Sequence, residues 1–175
     1  MLATIVLTFA LSTPASNPVA DMYLHEVDLV EQNALKLAEA MPADKYDFRP
    51  TDGAFAGVRT FGEQVKHIAT MIFMTAAIVL EEKSPYGPGT NDNGPDSIQG
   101  KEQIIEYFKA SLAYARKAMA SLNEKNHLDP IKTYFGLMAR SAVAAGVAYH
   151  SYDHYGQMVV YARMNGFVPP ASQPR

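Results

Sequence analysis

The chain contains no cysteine among its 175 residues. That absence removes disulfides, thiolate metal ligands and a cysteine nucleophile together, and it leaves His, Asp and Glu as the side chains able to bind a metal ion. A basic cluster is missing too. The 15 Lys and Arg are outnumbered by 18 Asp and Glu, for a net charge of −3, so nothing gathers positive charge against a phosphate backbone or an anionic membrane surface. The expectation is therefore no nucleic-acid partner. Strand-like alternation, internal repeats and low-complexity tracts are also absent. What remains is 48% hydrophobic and 19% charged, the composition of one ordinary globular domain with enough apolar material for a core.

Residues 1–16 carry no charged side chain, and their apolar run ends at Leu11 before a stretch of small residues. Thr13 and Ala15 have the small-x-small pattern of a cleavage site, so the segment reads as a secretory leader and implies a periplasmic or extracellular protein. A run this short is not a bilayer-spanning helix, and no stable membrane insertion is expected. No Lys or Arg precedes it. The positive start of a leader is thus missing, and the competing reading is an apolar segment packed on a domain that stays in the cytoplasm. The domain itself is read over 17–175.

From Asn17 onward the pattern is helical. Asn17 is a good N-cap and Pro18 suits the first turn. Met22, Val27, Leu29, Val30, Leu35 and Leu37 recur at mixed spacings of three and four until Met41-Pro42 stops the run, which predicts a first helix over about 18–41. A connection rich in Pro, Asp and Gly covers 42–59. Thr60 and Glu63 then form a capping box, in which hydroxyl and carboxylate reciprocally satisfy free backbone N–H groups, and a second helix runs to about Glu82. Residues 84–100 hold four Gly and three Pro, which predicts a long surface loop without regular structure and a candidate lid. A third helix is expected from about Lys101 to Leu122, a further connection over 123–136, and a fourth helix from about Leu137 to Asn165, ended by Gly166. The expected fold is all-α: a four-helix bundle with long connections between helices 1 and 2 and between helices 2 and 3.

Two of the five histidines, His150 and His154, stand one helical turn apart. Residues four apart on a helix are neighbours with Cβ atoms about 5–6 Å apart, so both imidazoles can reach one ion at roughly 2.0–2.1 Å. Their stripe also carries Val143, Gly146, Val147, Gln157, Tyr161 and Met164. The opposite face, with Ser141, Ala148, Tyr152 and Val159, is also poor in charge, which predicts a helix buried nearly all round. Buried imidazoles without partners lose roughly 1–3 kcal/mol each, and a shared cation satisfies both. The third ligand is assigned to His67, which shares an apolar stripe of the second helix with Met71, Met74 and Ile78. Taken alone, His67 reads equally well as a core residue bonded to a backbone carbonyl. His25 and His127 lie among polar residues and read as solvated.

Three further side chains are weak catalytic candidates. Glu63 is read first as half of the capping box, and second as a group that reaches the metal or its water. Asp153 either orients a histidine ring by accepting its other N–H or forms a salt bridge with a neighbouring helix. Tyr161 lies on the ligand stripe as a pocket wall or proton donor, with aromatic packing as the plainer alternative.

Several motifs of this chain resemble those of one family. Tyr46-Asp-Phe-Arg-Pro50, Phe61-Gly-Glu-Gln-Val-Lys-His67, His150-Ser-Tyr-Asp-His-Tyr-Gly-Gln157 and Tyr161-Ala-Arg-Met-Asn-Gly-Phe-Val-Pro-Pro170 are similar to the DinB-like (DinB/YfiT) family of metalloenzymes, over about Asn17 to Ala171. The resemblance implies a four-helix bundle, often a homodimer. One His from the second helix and a His-x3-His pair from the last would bind a divalent metal, usually Zn or Ni, at the positions of His67, His150 and His154. Characterised relatives include transferases and isomerases that use low-molecular-weight thiols, cofactors kept in the cytoplasm and so at odds with a leader. The expectation is a metal-dependent hydrolase or thiol-dependent transferase acting on an unknown small molecule. The alternative is a non-catalytic metal-binding protein, structural or engaged in stress-related interactions, whose ion ties two helices together and stabilises a dimer.

Overall fold

A computed structural model describes residues 16–174. The leader assigned to 1–16 lies, apart from Ser16, outside the described residues. Four long helical segments in chain order make up most of the domain, as the hydrophobic pattern predicts. The first is α1 (Pro18–Val30), carried on through a π-helical turn (Glu31–Leu35) into α2 (Lys36–Ala40). The others are α3 (Phe61–Leu80), α4 (Gly100–Ala120) and α5 (Arg140–Met164).

The helix ends follow the local chemistry. Asn17 caps α1 by accepting from the Ala20 N–H at 3.3 Å, and its amide donates to the Leu122 carbonyl at 2.7 Å, fastening the start of α1 to the end of α4. The capping box of α3 is complete: the Thr60 N–H donates to the Glu63 carboxylate at 2.7 Å, and the Glu63 N–H to the Thr60 hydroxyl at 3.2 Å. Gly166 ends α5 at φ +72°, and the Phe167 N–H bonds back to the Ala162 carbonyl, the wrap that a left-handed glycine permits. The π turn explains the mixed spacing in the first helix. One extra residue in the turn rotates the apolar face, so that Val27, Val30 and Ala34 and then Leu37, Ala38 and Met41 all point into the core.

Helix α3 is the centre of the bundle, packed on both α4 and α5. By length and composition it is apolar enough to cross a membrane, but 61% of its apolar window is buried inside the protein, as befits a core helix. Phe61, Ile68 and Ile72 from α3 meet Phe108, Leu112 and Met119 from α4 and Leu37 and Met158 from the flanking helices, all fully buried.

Three expectations need correction. The segment before α5 is an antiparallel hairpin of β1 (Pro130–Thr133) and β2 (Gly136–Ala139), so α5 begins at Arg140 and not near Leu137. Its strands are too short to show a period of two, and its turn, Tyr134-Phe135, lacks the Asn-Gly or Asp-Gly signal of a tight hairpin. Secondly, α5 is not buried all round: Tyr149, Tyr152, Asp153, Gly156, Val160 and Met164 form an exposed stripe. Low charge on a helix face does not by itself mean that a neighbouring helix covers it. Finally, the connection before α4 contains a 3₁₀ turn (Thr90–Asp92) and a bridge between Gly89 and Gly94. Gly94, at φ +74°, lies so close to α3 and α4 that a Cβ there would sit 2.6 Å from the Thr70 hydroxyl and 3.1 Å from that of Tyr107.

Candidate metal centre

His67 lies mid-way along α3, and His150 and His154 lie on successive turns of the facing helix α5. Their rings converge. His67 Nε2 is 3.0 Å from His150 Nε2, and one nitrogen from each of the three rings falls within 4.8 Å of the other two. His67 and His154 are buried and His150 is half-buried. These three side chains form a cluster that can hold a metal ion.

Neighbouring groups fix the rings' orientation. His67 Nδ1 lies 2.8 Å from the backbone carbonyl of Asp92. A carbonyl only accepts, so Nδ1 carries the proton and donates it, and Nε2 presents a lone pair to the cluster. His154 Nδ1 likewise meets Gln64 Oε1 at 2.6 Å, and the Gln64 amide in turn donates to Gln157 Oε1 at 2.9 Å. Both buried rings thus leave Nε2 unprotonated, the tautomer in which that nitrogen can bind a metal, with Nδ1 held by an oxygen acceptor. The donor set fits a divalent transition metal on its own chemistry: imidazole suits Zn, Ni, Cu and Fe, while Mg and Ca prefer oxygen.

Electrostatics favour neutral rings. Burial pushes all three histidines below their usual 6.5; His154 falls to about 4, with repulsion from His67 and His150 adding to the burial effect. The Arg59 guanidinium acts in the same direction on each ring. Arg59 also organises the loop that supplies the Asp92 carbonyl, donating to Asn93 Oδ1 and to the Asn91 carbonyl, both at 2.7 Å. Asn91 and Asp92 have φ of +56° and +57°, in the left-handed region that Asn and Asp tolerate better than most residues. The segment expected as a lid is therefore fastened here as a wall of the cluster, with Lys66 adding a bond to the Pro95 carbonyl at 3.0 Å.

The weak catalytic candidates take different places. Glu63 spends a carboxylate oxygen on the capping box, the first of its two readings. Tyr161 is buried, donates its hydroxyl to the Arg59 carbonyl at 3.2 Å and packs edge-on against Phe48. The Asp153 carboxylate is mostly exposed and comes within 4.0 Å of His154 Nε2, beyond hydrogen-bond length. Sequence reasoning missed Gln64, Asp92 and Arg59 as partners of the cluster. A polar Gln64 one turn before His67 on a buried helix was a usable signal; a backbone carbonyl 25 residues away was not.

A family model described as the DinB superfamily matches residues 26–158, more than half of the chain. No curated protein gives a significant match. Among solved structures, a DinB-like protein from Bacillus cereus superposes with a TM-score of 0.64 at 18% identity, covering 86% of this chain and 95% of its own. A DinB-like protein from Bacillus subtilis gives 0.64 at 21% identity, covering 91% and 100%. A conserved protein from Enterococcus faecalis gives 0.64 at 14%, covering 86% and 98%. At these identities the likeness speaks for the fold alone. Joined to the family match and to the helical architecture described above, it places this chain in the DinB superfamily.

Proposed function

We propose that this protein is a mononuclear metalloenzyme in which His67, His150 and His154 hold one divalent ion, Zn or Ni, and that it acts on a small molecule as a hydrolase or transferase. The observation that carries this reading is the orientation of the buried rings. Asp92 and Gln64 accept hydrogen bonds from Nδ1 of His67 and His154, which leaves both Nε2 atoms as lone-pair donors, and His150 Nε2 lies 3.0 Å from that of His67. A plain core histidine needs one satisfied nitrogen. Here one nitrogen from each of three rings lies within 4.8 Å of the other two; an N–H···N bond can join His150 to His67, but only a cation satisfies all three rings at once.

Once bound, such an ion supplies Lewis acidity to an oxygen or sulfur donor of a substrate. Three neutral ligands leave its full charge available for that purpose. The chain's own contribution is positional. Gln64, itself anchored by Gln157, fixes the His154 ring, while Arg59 holds the loop that fixes His67. Asp153 stands at the solvent edge of the cluster, its carboxylate 4.0 Å from His154 Nε2. The test is metal analysis of the purified protein beside His154→Ala. About one ion per chain in the wild type and a small fraction of that in the variant supports the reading, whereas equal metal content in both defeats it. Water exchange at the bound ion then distinguishes an open catalytic site from a closed structural one.

A further inference from the structure

A cleft of about 210 Å³ opens beside the cluster, with His150 in its wall. Helix α3 contributes Met71, Met74 and Ile78, the hairpin contributes Phe135 and Met138, and α5 contributes Gly146 one turn before His150. Among the described residues no Asp, Glu, Lys or Arg lines it. A neighbouring hollow of about 300 Å³ shares Met74, Ile78 and Tyr134 with it, but carries Glu82 and Lys83 and has no histidine in its wall. Of these two, only the uncharged cleft has a histidine of the candidate metal centre in its wall.

We propose that this cleft binds the body of the substrate, and that the substrate is a small uncharged molecule: a phenyl ring or short alkyl chain carrying one metal-binding donor group. The proposal rests on the three-histidine reading above and adds the chemical class. Three observations carry it. A charged body would lose its hydration in this cleft with no countercharge to replace it. The volume is small, since a cavity of roughly 150 Å³ already accepts benzene and drug-sized ligands need about 300 Å³ or more. The wall is also adaptable: thioether side chains fill irregular gaps and pack well on aromatic rings, and Met71, Met74 and Met138 supply three of them.

Gly146 keeps the cleft open. A Cβ at this position would already touch the Thr75 methyl and the Tyr149 hydroxyl at 3.4 Å, so a longer side chain has to extend into the cleft. At the hairpin tip, Tyr134 and Phe135 are 80% and 92% exposed. Two aromatic rings stand at the mouth with no protein packed on them among the described residues, where an apolar ligand would cover part of their surface.

Methyl-¹³C methionine NMR tests this on the full-length protein, metal-free and zinc-loaded. Toluene should shift the methyl signals of Met71, Met74 and Met138 in both forms. In the metal-free form, where no ion can take up a carboxylate, the analogue p-toluate at equal concentration should shift them at most a tenth as much. Gly146→Leu should reduce the toluene response at least fivefold. Phe135→Asp, at a site outside the core, should do the same by placing charge at the mouth. With zinc bound, benzohydroxamate should bind at least tenfold tighter than acetohydroxamate and displace toluene. Toluene leaving the three methyl groups unmoved, p-toluate matching it in the metal-free form, or the two hydroxamates binding equally to the zinc form would each overturn the apolar class while zinc still binds. Failure to take up zinc with toluene binding intact would instead overturn the metal reading, and with it the donor group assigned to the substrate.

Discussion

The cluster has two unlike sides. His67 and His154 are buried, and each has its outer nitrogen held by an oxygen acceptor. His150 is half-buried, borders the apolar cleft, and among the described residues has no protein partner on Nδ1. The two sides suit different tasks. In the proposed site the fixed pair would set the ion's position, and the third ring, on the side facing the cleft, would leave room for a substrate to approach. The fixed side depends on groups far apart in sequence: an amide on the same helix as His67 and a carbonyl in a loop braced by Arg59.

The largest expected effect comes from removing a fixed ligand. His154→Ala should abolish tight metal binding, and with it the response to chelator. In the wild type, free zinc at 100 times its Kd adds about 2.7 kcal/mol, a Tm difference of roughly 5–10 °C between loaded and chelated protein. Scanning calorimetry with and without chelator should show that difference in the wild type and its loss in the variant.

Acid comes next. All three histidines have folded-state pKa values below the usual 6.5, that of His154 reaching about 4. The unfolded chain then binds more protons than the folded one between those limits, so stability is full above about 6.5 and falls as the pH drops from there toward about 4. Metal loading should fail in the same window, because protons compete for the ligand nitrogens. A metal-free Tm that stays flat from pH 7 to 4 would contradict the burial argument.

Gln64→Ala leaves every ligand in place but frees the His154 ring. Metal affinity should weaken about 10- to 100-fold, as for other losses of a group that orients a ligand, measured by competition against a zinc indicator. Arg59→Ala is expected to have the smallest effect, a few-fold weakening, because the Asp92 carbonyl survives and only the brace on its loop is lost.

Much of this was legible in the sequence, for reasons that also mark the limits. The four helical segments announce themselves through apolar spacing, and Asn17, the Thr60/Glu63 box and Gly166 mark their ends by local chemistry, which short-range sequence carries well. The His150/His154 spacing is likewise a local signal. His67 shows that two readings need not compete: it does bond a backbone carbonyl through Nδ1, and its Nε2 still lies 3.0 Å from that of His150. The hairpin escaped because four-residue strands give no period, and the exposed stripe of α5 escaped because tyrosine, valine and methionine read as core wherever they stand. Asp92 could not be found at all, since its side chain plays no part and only the folded loop brings its carbonyl to His67.

The central claim is that three imidazoles share one ion. X-ray absorption on zinc-loaded, desalted protein tests it most directly. About one zinc per chain with three imidazole nitrogens at roughly 2.0–2.1 Å is expected; a protein that retains no zinc, or zinc whose spectrum lacks imidazole scattering, would rule out the shared ion.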